Sequence, residues 1–88
     1  MTTVYRRNAN TAGRVVDGFA FVITPDDNKL HSLNAAATEI WTLAEDGCSA
    51  ARAADRLVEC YEVDRETALR DAEQFCADLV ERGILVTE

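Results

Sequence analysis

Apolar and polar positions change their period once along this chain of 88 residues. The first third holds short runs rich in β-branched and aromatic side chains, which are typical of strands. We expect strands at residues 14–17, 19–24 and 29–33. Asp17-Gly18 is a strong hairpin signal between the first two, and Pro25 opens a turn before the third. The three strands are therefore predicted to form a small antiparallel sheet.

From Asn34 onward the apolar spacing changes to about 3.6 residues, which predicts helices. Asn34 and Ser49 are suitable N-caps for two helices, and Gly47 is placed to end the first. A third helix is predicted to begin at Asp64 and to end near Gly83. The second helix has its apolar positions at Ala50, Ala53, Ala54, Leu57, Val58 and Tyr61. The third has them at Ala68, Leu69, Ala72, Phe75, Cys76, Leu79 and Val80.

These elements predict one α+β domain, a small antiparallel three-stranded sheet followed by three helices, with a winged helix-turn-helix-like shape. The domain is expected to span residues 14–88. Residues 1–13 are expected to form a flexible N-terminal arm, because Arg6 and Arg7 lie in a polar terminal stretch without acids. The apolar segment Ile84–Val86 follows the last helix and must pack somewhere.

The net charge of the chain limits the classes of partner that it can bind. Sixteen acids against nine bases give a formal charge of −7, which argues against nucleic acid, since phosphate binding depends on Lys and Arg. The predicted third helix, residues 64–82, carries six of these acids and three of the bases. No apolar run approaches the roughly 20 residues that span a bilayer, and the N-terminus lacks the apolar core of a signal peptide. We therefore expect a cytoplasmic protein that binds neither nucleic acid nor membrane.

The sequence offers little for catalysis. His31 is the single histidine, and no second ligand stands at metal-binding spacing from it. The three cysteines, Cys48, Cys60 and Cys76, fit neither a disulfide framework nor a C-x-x-C site. The four glycines are far apart and form no phosphate-binding loop. We expect a protein that is not an enzyme and that holds neither metal nor cofactor.

A set of residues with a consistent order and spacing runs through most of the chain: Leu33-Asn34, Ile40-Trp41, Leu43, Asp46-Gly47, Leu57, Tyr61, Asp71, Phe75, Leu79 and Arg82-Gly83. In this set the sequence resembles the PqqD-like family. The chain departs from that pattern at His31, where an aromatic residue is frequent, and at Ala37, where glycine is common. Smaller residues than usual also occur on the first two helices, at Ala44, Ala50 and Ala53.

The resemblance implies a recognition element for the leader segment of a ribosomally made precursor peptide, working beside a modifying enzyme such as a radical SAM protein. In that family the leader adds as a strand to the third strand of the sheet and lies against the third helix. Carried over, the peptide-binding residues are Lys29, Leu30, His31, Ser32 and Leu33 on the strand and Arg70, Gln74, Phe75 and Asp78 on the helix. The protein is expected to be a monomer or a weak homodimer. Quinone cofactor, lasso and sactipeptide-like pathways are all compatible with it.

Two other functions stay open at this point. The chain could be a structural or regulatory subunit that docks on a partner enzyme through Trp41 or Ile84–Val86. It could also be a winged-helix DNA-binding protein, although the acidic third helix disfavours that function.

Overall fold

The computed structural model describes residues 2–88, and over this range the chain forms five strands and three helices. The strands are β1 (Tyr5–Arg7), β2 (Ala12–Val16), β3 (Phe19–Thr24), β4 (Lys29–Ser32) and β5 (Leu85–Thr87). The helices are α1 (Ala35–Leu43), α2 (Ala50–Cys60) and α3 (Arg65–Glu81). Strands β2, β3 and β4 form an antiparallel sheet in that order. The predicted α+β fold, with a three-stranded sheet followed by three helices, is confirmed.

The turns of this sheet follow from local backbone chemistry. Asp17 and Gly18 both have positive φ, 53° and 84°, and they join Val16 directly to its partner Phe19. Two consecutive residues with positive φ make a turn whose twist matches that of the paired strands, so Asp-Gly is favoured there. Asn28 also has positive φ and donates its N–H to the carbonyl of Pro25, which closes the second turn.

Strand β4 ends one residue earlier than predicted, at Ser32, because a side chain from α1 takes over the pairing. The N–H of Leu33 still donates to the carbonyl of Ala20, at 2.8 Å. The N–H of Ala20, however, donates to the hydroxyl of Thr38, at 2.9 Å, instead of returning to Leu33. Thr38 therefore closes the corner between the sheet and the first helix.

The helices begin where the capping residues predicted. The side chains of Asn34 and Ser49 accept backbone N–H groups of the first turns of α1 and α2, as N-caps do. Helix α1 ends at Leu43, earlier than predicted, and Gly47, with a φ of 90°, lies in the turn beyond it. Most of the small residues and leucines on the predicted apolar faces of α2 and α3 are buried, but Val58 of α2 and its C-cap residue Tyr61 are exposed.

The core lies between the inner face of the sheet and the three helices. The inward side chains of Ala20 and Val22 on β3 are fully buried in this core, as is that of Ile40 on α1. Helices α2 and α3 meet largely through alanines, which lets their backbones approach closely. The core residues of these two helices are Ala53, Ala54, Leu57, Ala68, Ala72, Cys76 and Leu79.

The N-terminal arm differs from its prediction, because part of it belongs to the folded domain. Tyr5–Arg7 pairs antiparallel with Leu85–Thr87, and Tyr5 exchanges two backbone hydrogen bonds with Cys48. The apolar segment after α3 supplies this partner strand, with Ile84 and Leu85 buried in the core. A three-residue strand whose partner lies at the other end of the chain has no local sequence signal, so its position could not be predicted.

Arg7 is the residue that explains why a basic terminus can pack. Its guanidinium carbon lies 3.5 Å from the centroid of the Trp41 ring, and its Nε donates to the Trp41 carbonyl at 2.9 Å. An arginine can stack on an aromatic face while its aliphatic stem covers apolar surface. On β2, the Cα of Gly13 approaches the same indole so closely that an added Cβ would lie 2.7 Å from Trp41 Cζ2.

This contact gives a stability prediction. Replacing Gly13 with alanine should lower the free energy of unfolding by about 1–3 kcal/mol, because Trp41 and its neighbours must shift. Trp41→Phe removes the crowded part of the ring together with an indole N–H that is buried without a hydrogen-bond partner in residues 2–88. In urea unfolding, Gly13→Ala should therefore cost clearly less in the Trp41→Phe background. Equal costs in both backgrounds would contradict the steric account.

Candidate functional site

Strand β4 is an edge strand, because within residues 2–88 it pairs with β3 alone. The register places Val22 opposite His31 and Ile23 opposite Leu30. Since Leu33 donates its N–H to β3, and hydrogen-bonded pairs alternate along an antiparallel ladder, His31 also directs its backbone groups to β3. The N–H and C=O groups of Leu30 and Ser32 consequently point away from the sheet. These two residues present an open edge with which a second chain in extended conformation could pair.

Side chains of β4 alternate between the two faces of the sheet. Those of Lys29, His31 and Leu33 lie on the face that carries the buried residues of β3. Leu33 is buried, His31 is half-buried and Lys29 is exposed beside the turn. Leu30 and Ser32 lie on the opposite face, and the side chain of Leu30 is 66% exposed.

Helix α3 runs beside this edge and presents one stripe of side chains to it. Asp71, Gln74, Phe75 and Asp78 line a cavity of about 300 Å³. Their spacing of three and four residues places them on one side of the helix. Phe75 is half-buried against the core and offers an apolar wall, while the two carboxylates and the amide supply polar rims.

A second cavity, of about 170 Å³, continues from the first towards β4. Phe75 and Asp78 line both cavities, so the cavities adjoin, and we call the two together the α3 groove. The β4 end of the groove is lined by Ser32, Leu33, Asn34, Ala37, Leu79 and Arg82. The open backbone edge and a partly apolar groove are therefore adjacent.

The structure brings together most, but not all, of the sequence-predicted site. Ser32, Leu33, Gln74, Phe75 and Asp78 line the α3 groove, and Leu30 and His31 lie on the neighbouring strand. Lys29 and Arg70 line neither cavity; Arg70 is 71% exposed and its guanidinium lies 3.9 Å from Glu66.

Groove residues that the sequence did not single out as contacts are Asp71, Asn34, Ala37, Leu79 and Arg82. Asp71 could have been found from its helical spacing to Phe75 and Asp78. The others could not, because their place in the groove depends on how α3 packs beside α1 and β4.

His31 is held by a short chain of hydrogen bonds. Its Nε2 lies 3.0 Å from the hydroxyl of Thr24, and that hydroxyl lies 2.5 Å from a carboxylate oxygen of Asp27. A carboxylate can only accept, so the Thr24 proton points to Asp27 and the Thr24 oxygen accepts from Nε2–H of His31. The bond from Thr24 also lowers the pKa of Asp27. The geometry fixes the ring tautomer and leaves Nδ1 of His31 unused.

Chemistry outside this region is limited. Within residues 2–88 no group of three His, Cys, Asp or Glu side chains is placed to hold a metal ion. Burial raises the pKa of the Cys76 thiol to about 12 and also raises that of Cys48, so neither thiol is activated as a nucleophile. Cys60 is exposed. No helix in the described part of the chain is long and apolar enough to cross a membrane.

The structure gives little support to the two alternative functions. Trp41 is 5% exposed and Ile84 and Leu85 are buried, so Val86 is the one residue of the predicted docking region that is exposed. On the third helix and its C-cap every arginine lies beside a carboxylate: Arg65 near Asp55, Arg70 near Glu66 and Arg82 near Asp78. The helix that would read DNA in a winged-helix protein therefore presents a surface that disfavours phosphate.

A three-stranded sheet with an open edge beside a grooved third helix defines a small α+β domain of winged-helix-like shape. The family model for coenzyme PQQ synthesis protein D (PqqD) matches residues 20–85, three quarters of the chain. The protein belongs to the PqqD family, as its sequence indicated. A search of curated proteins gave no significant match.

Two solved structures share the whole fold. TbiB1 in complex with the TbiA(beta) leader peptide matches with a TM-score of 0.83 and 24% identity, over 91% of this chain and 93% of that one. Lasso peptide synthetase B1 complexed with the leader peptide matches with a TM-score of 0.81 and 27% identity, over 93% and 96% of the two chains. Both neighbours are leader-peptide complexes, and both are similar to this chain over nearly its full length.

The hydrogen-bond chain at His31 gives a prediction. Long-range ¹H–¹⁵N correlation spectra of the neutral ring should show the proton on Nε2, because Thr24 needs a donor there. Thr24→Val removes the acceptor and should release that preference, while Ser32→Ala, on the opposite face of the same strand, should leave it unchanged. A proton on Nδ1 in the unmodified protein would contradict the assigned direction of these bonds.

Proposed function

We propose that this protein is a non-catalytic binding domain that captures the leader segment of a ribosomally synthesised precursor peptide and presents it to a modifying enzyme. The observation that carries the proposal is the open edge of β4 beside the α3 groove. Membership of the PqqD family supports it, as does the likeness to lasso peptide synthetase B1 complexed with the leader peptide.

Capture proceeds by strand addition. A leader segment in extended conformation accepts and donates backbone hydrogen bonds at Leu30 and Ser32, whose groups point outward from β4. Each such bond contributes about 1 kcal/mol net, and none depends on the identity of the leader residue. Backbone pairing thus gives affinity with little sequence selectivity.

Selectivity comes from the α3 groove. Leader side chains opposite His31 and Leu33 point to the inner face, where Phe75 offers apolar surface and Asp78 borders both cavities. An apolar leader side chain that enters the groove is removed from water, which contributes roughly 25 cal/mol per Å² of buried apolar surface. Lys29 and Arg70 would then contact the leader from the ends of the site, as rim charges.

The protein itself performs no chemistry on the leader in this account. His31 is tied to Thr24, and Cys48 and Cys76 are buried thiols with raised pKa, so a positioned and activated nucleophile is not available among them. The modification is carried out by a partner enzyme, for which a radical SAM protein is one candidate class. The domain acts in the cytoplasm as a monomer or weak homodimer, without a cofactor.

Strand addition can be tested by proline substitution. Ser32→Pro deletes an outward N–H and should weaken binding of the cognate leader peptide by about fivefold or more. Ser32→Ala keeps that N–H and serves as the matched control, with an affinity within about twofold of the unmodified protein. Affinities are measured by isothermal titration calorimetry.

The neighbouring position gives the opposite signature. His31→Pro deletes an N–H that pairs with β3, so it should lower the thermal midpoint of unfolding, whereas Ser32→Pro should change it little. Strand addition at β4 is wrong if Ser32→Pro binds the leader as well as Ser32→Ala does. An unmodified protein that binds no leader at all would refute the proposed function as a whole.

Groove selectivity predicts a difference between two charge reversals on α3. Asp78→Lys should weaken leader binding by about fivefold or more, because it places a second cation beside Arg82 in the groove. Arg70→Glu changes a rim charge and should have a smaller effect that shrinks at higher salt. The Arg70 side chain is 71% exposed and that of Asp78 is about half exposed, so unfolding free energies should change by no more than about 1 kcal/mol. An effect of Arg70→Glu that equals that of Asp78→Lys would argue against the groove.

A further inference from the structure

The outer face of the three-stranded sheet, the face turned away from the helices, is apolar, and no element of residues 2–88 covers it. The register pairs Val16 with Phe19, and Ile23 with Leu30, on this face. Five large apolar side chains are exposed there, from Phe21 at 37% to Leu30 at 66%, and the other three are Val16, Phe19 and Ile23. Single exposed apolar residues are ordinary on a protein surface, but a contiguous set marks an interaction site.

The charge of this face is also unusual for the protein. The chain has sixteen acids, yet none of them is on the outward positions of β2, β3 and β4, where Arg14 is the one charged residue. The face is therefore suited to apolar contact and not merely to solvation.

The edge of this face adjoins the strand proposed to receive the leader. A strand added to β4 must alternate its side chains between the two faces. Its residue opposite Leu30 points to the outer face, with its Cβ about 4.5–5.5 Å from that of Leu30. The residues opposite His31 and Leu33 point to the α3 groove. One extended segment thus meets apolar surface on both sides of the sheet.

We propose that the leader is held on both faces, by one apolar side chain in the α3 groove and a second that packs on Leu30 at the outer edge. The inference rests on the proposed function and adds the sequence class of the ligand. Because positions on opposite faces differ by an odd number, the two apolar anchors are one or three residues apart in the leader. Leu30 is then a specificity-determining residue, and Ile23 supports it from the neighbouring strand.

The test selects peptides from a phage-displayed library of random 15-residue sequences on the immobilised full chain. The enriched peptides should share two apolar positions at odd spacing, at residues i and i+1 or at residues i and i+3. Selection on a Leu30→Thr variant should lose the preference at one of these positions and keep the other. Enriched peptides with apolar positions only at even spacing would overturn the inference.

Three substitutions on the outer face give a graded control for an enriched peptide. Leu30→Thr should weaken its binding by roughly five- to tenfold, and Ile23→Thr by no more than about threefold. Val16 lies on β2, two strands from β4 and three strand spacings, about 14 Å, from the leader path, so Val16→Thr should change affinity by less than twofold. All three variants place the β-branched residue Thr on a strand, so the sheet is expected to fold.

The outcomes separate the inference from the proposed function. If Leu30→Thr binds as tightly as Val16→Thr, the outer anchor is wrong while leader capture stands. If all three variants lose affinity equally, the whole face is covered by a larger occupant and the edge anchor is again wrong. If the variants change sedimentation of the chain but not peptide affinity, a second copy occupies the face. If no peptide is enriched on the unmodified protein, the proposed function itself fails.

Discussion

The hydrogen bond from the N–H of Leu33 to the carbonyl of Ala20 fixes the register of β4, and the proposed site depends on that register. A shift by one residue would exchange the backbone groups that pair with β3 for those that face outward. It would also turn His31 to the outer face and Leu30 to the core. Thr38 holds the register in place, since its hydroxyl accepts the N–H of Ala20 and donates to the Leu33 carbonyl. Helix α1 therefore positions the edge although it contributes little surface to it.

A domain of this size must use its few elements for both stability and binding. Helix α3 buries Ala68, Ala72, Cys76 and Leu79 on one side and lines the groove with the adjoining side. Phe75 lies between the two sides, partly buried against the core and partly exposed in the groove. Small residues on α2 keep the two helices close together, and α3 lies beside a strand edge that is unpaired within residues 2–88. A preformed groove beside an open edge lowers the entropy cost of ordering the site when the leader binds.

The parts of the fold that could be predicted from the sequence are those with local causes. Asp17-Gly18 requires positive φ within two residues, and Asn34 and Ser49 cap the turns that directly follow them. Non-local pairings were not predictable: β1 depends on β5 at the far end of the chain, and Arg7 packs because Trp41 is there to receive it. The candidate site divides in the same way. The strand and helix came from a resemblance to the PqqD family, whereas the outward direction of Leu30 and Ser32 needed the register.

Residue-resolved amide hydrogen exchange, with and without the cognate leader peptide, tests strand addition at β4 most directly. In the free protein the amides of His31 and Leu33 should be protected, because they pair with β3, and those of Leu30 and Ser32 should exchange quickly. Saturating leader should slow exchange at Leu30 and Ser32 by tenfold or more while His31 and Leu33 change little. Protection that appears instead on α1 or at Ile84–Val86, with Leu30 and Ser32 still exchanging quickly, would contradict strand addition.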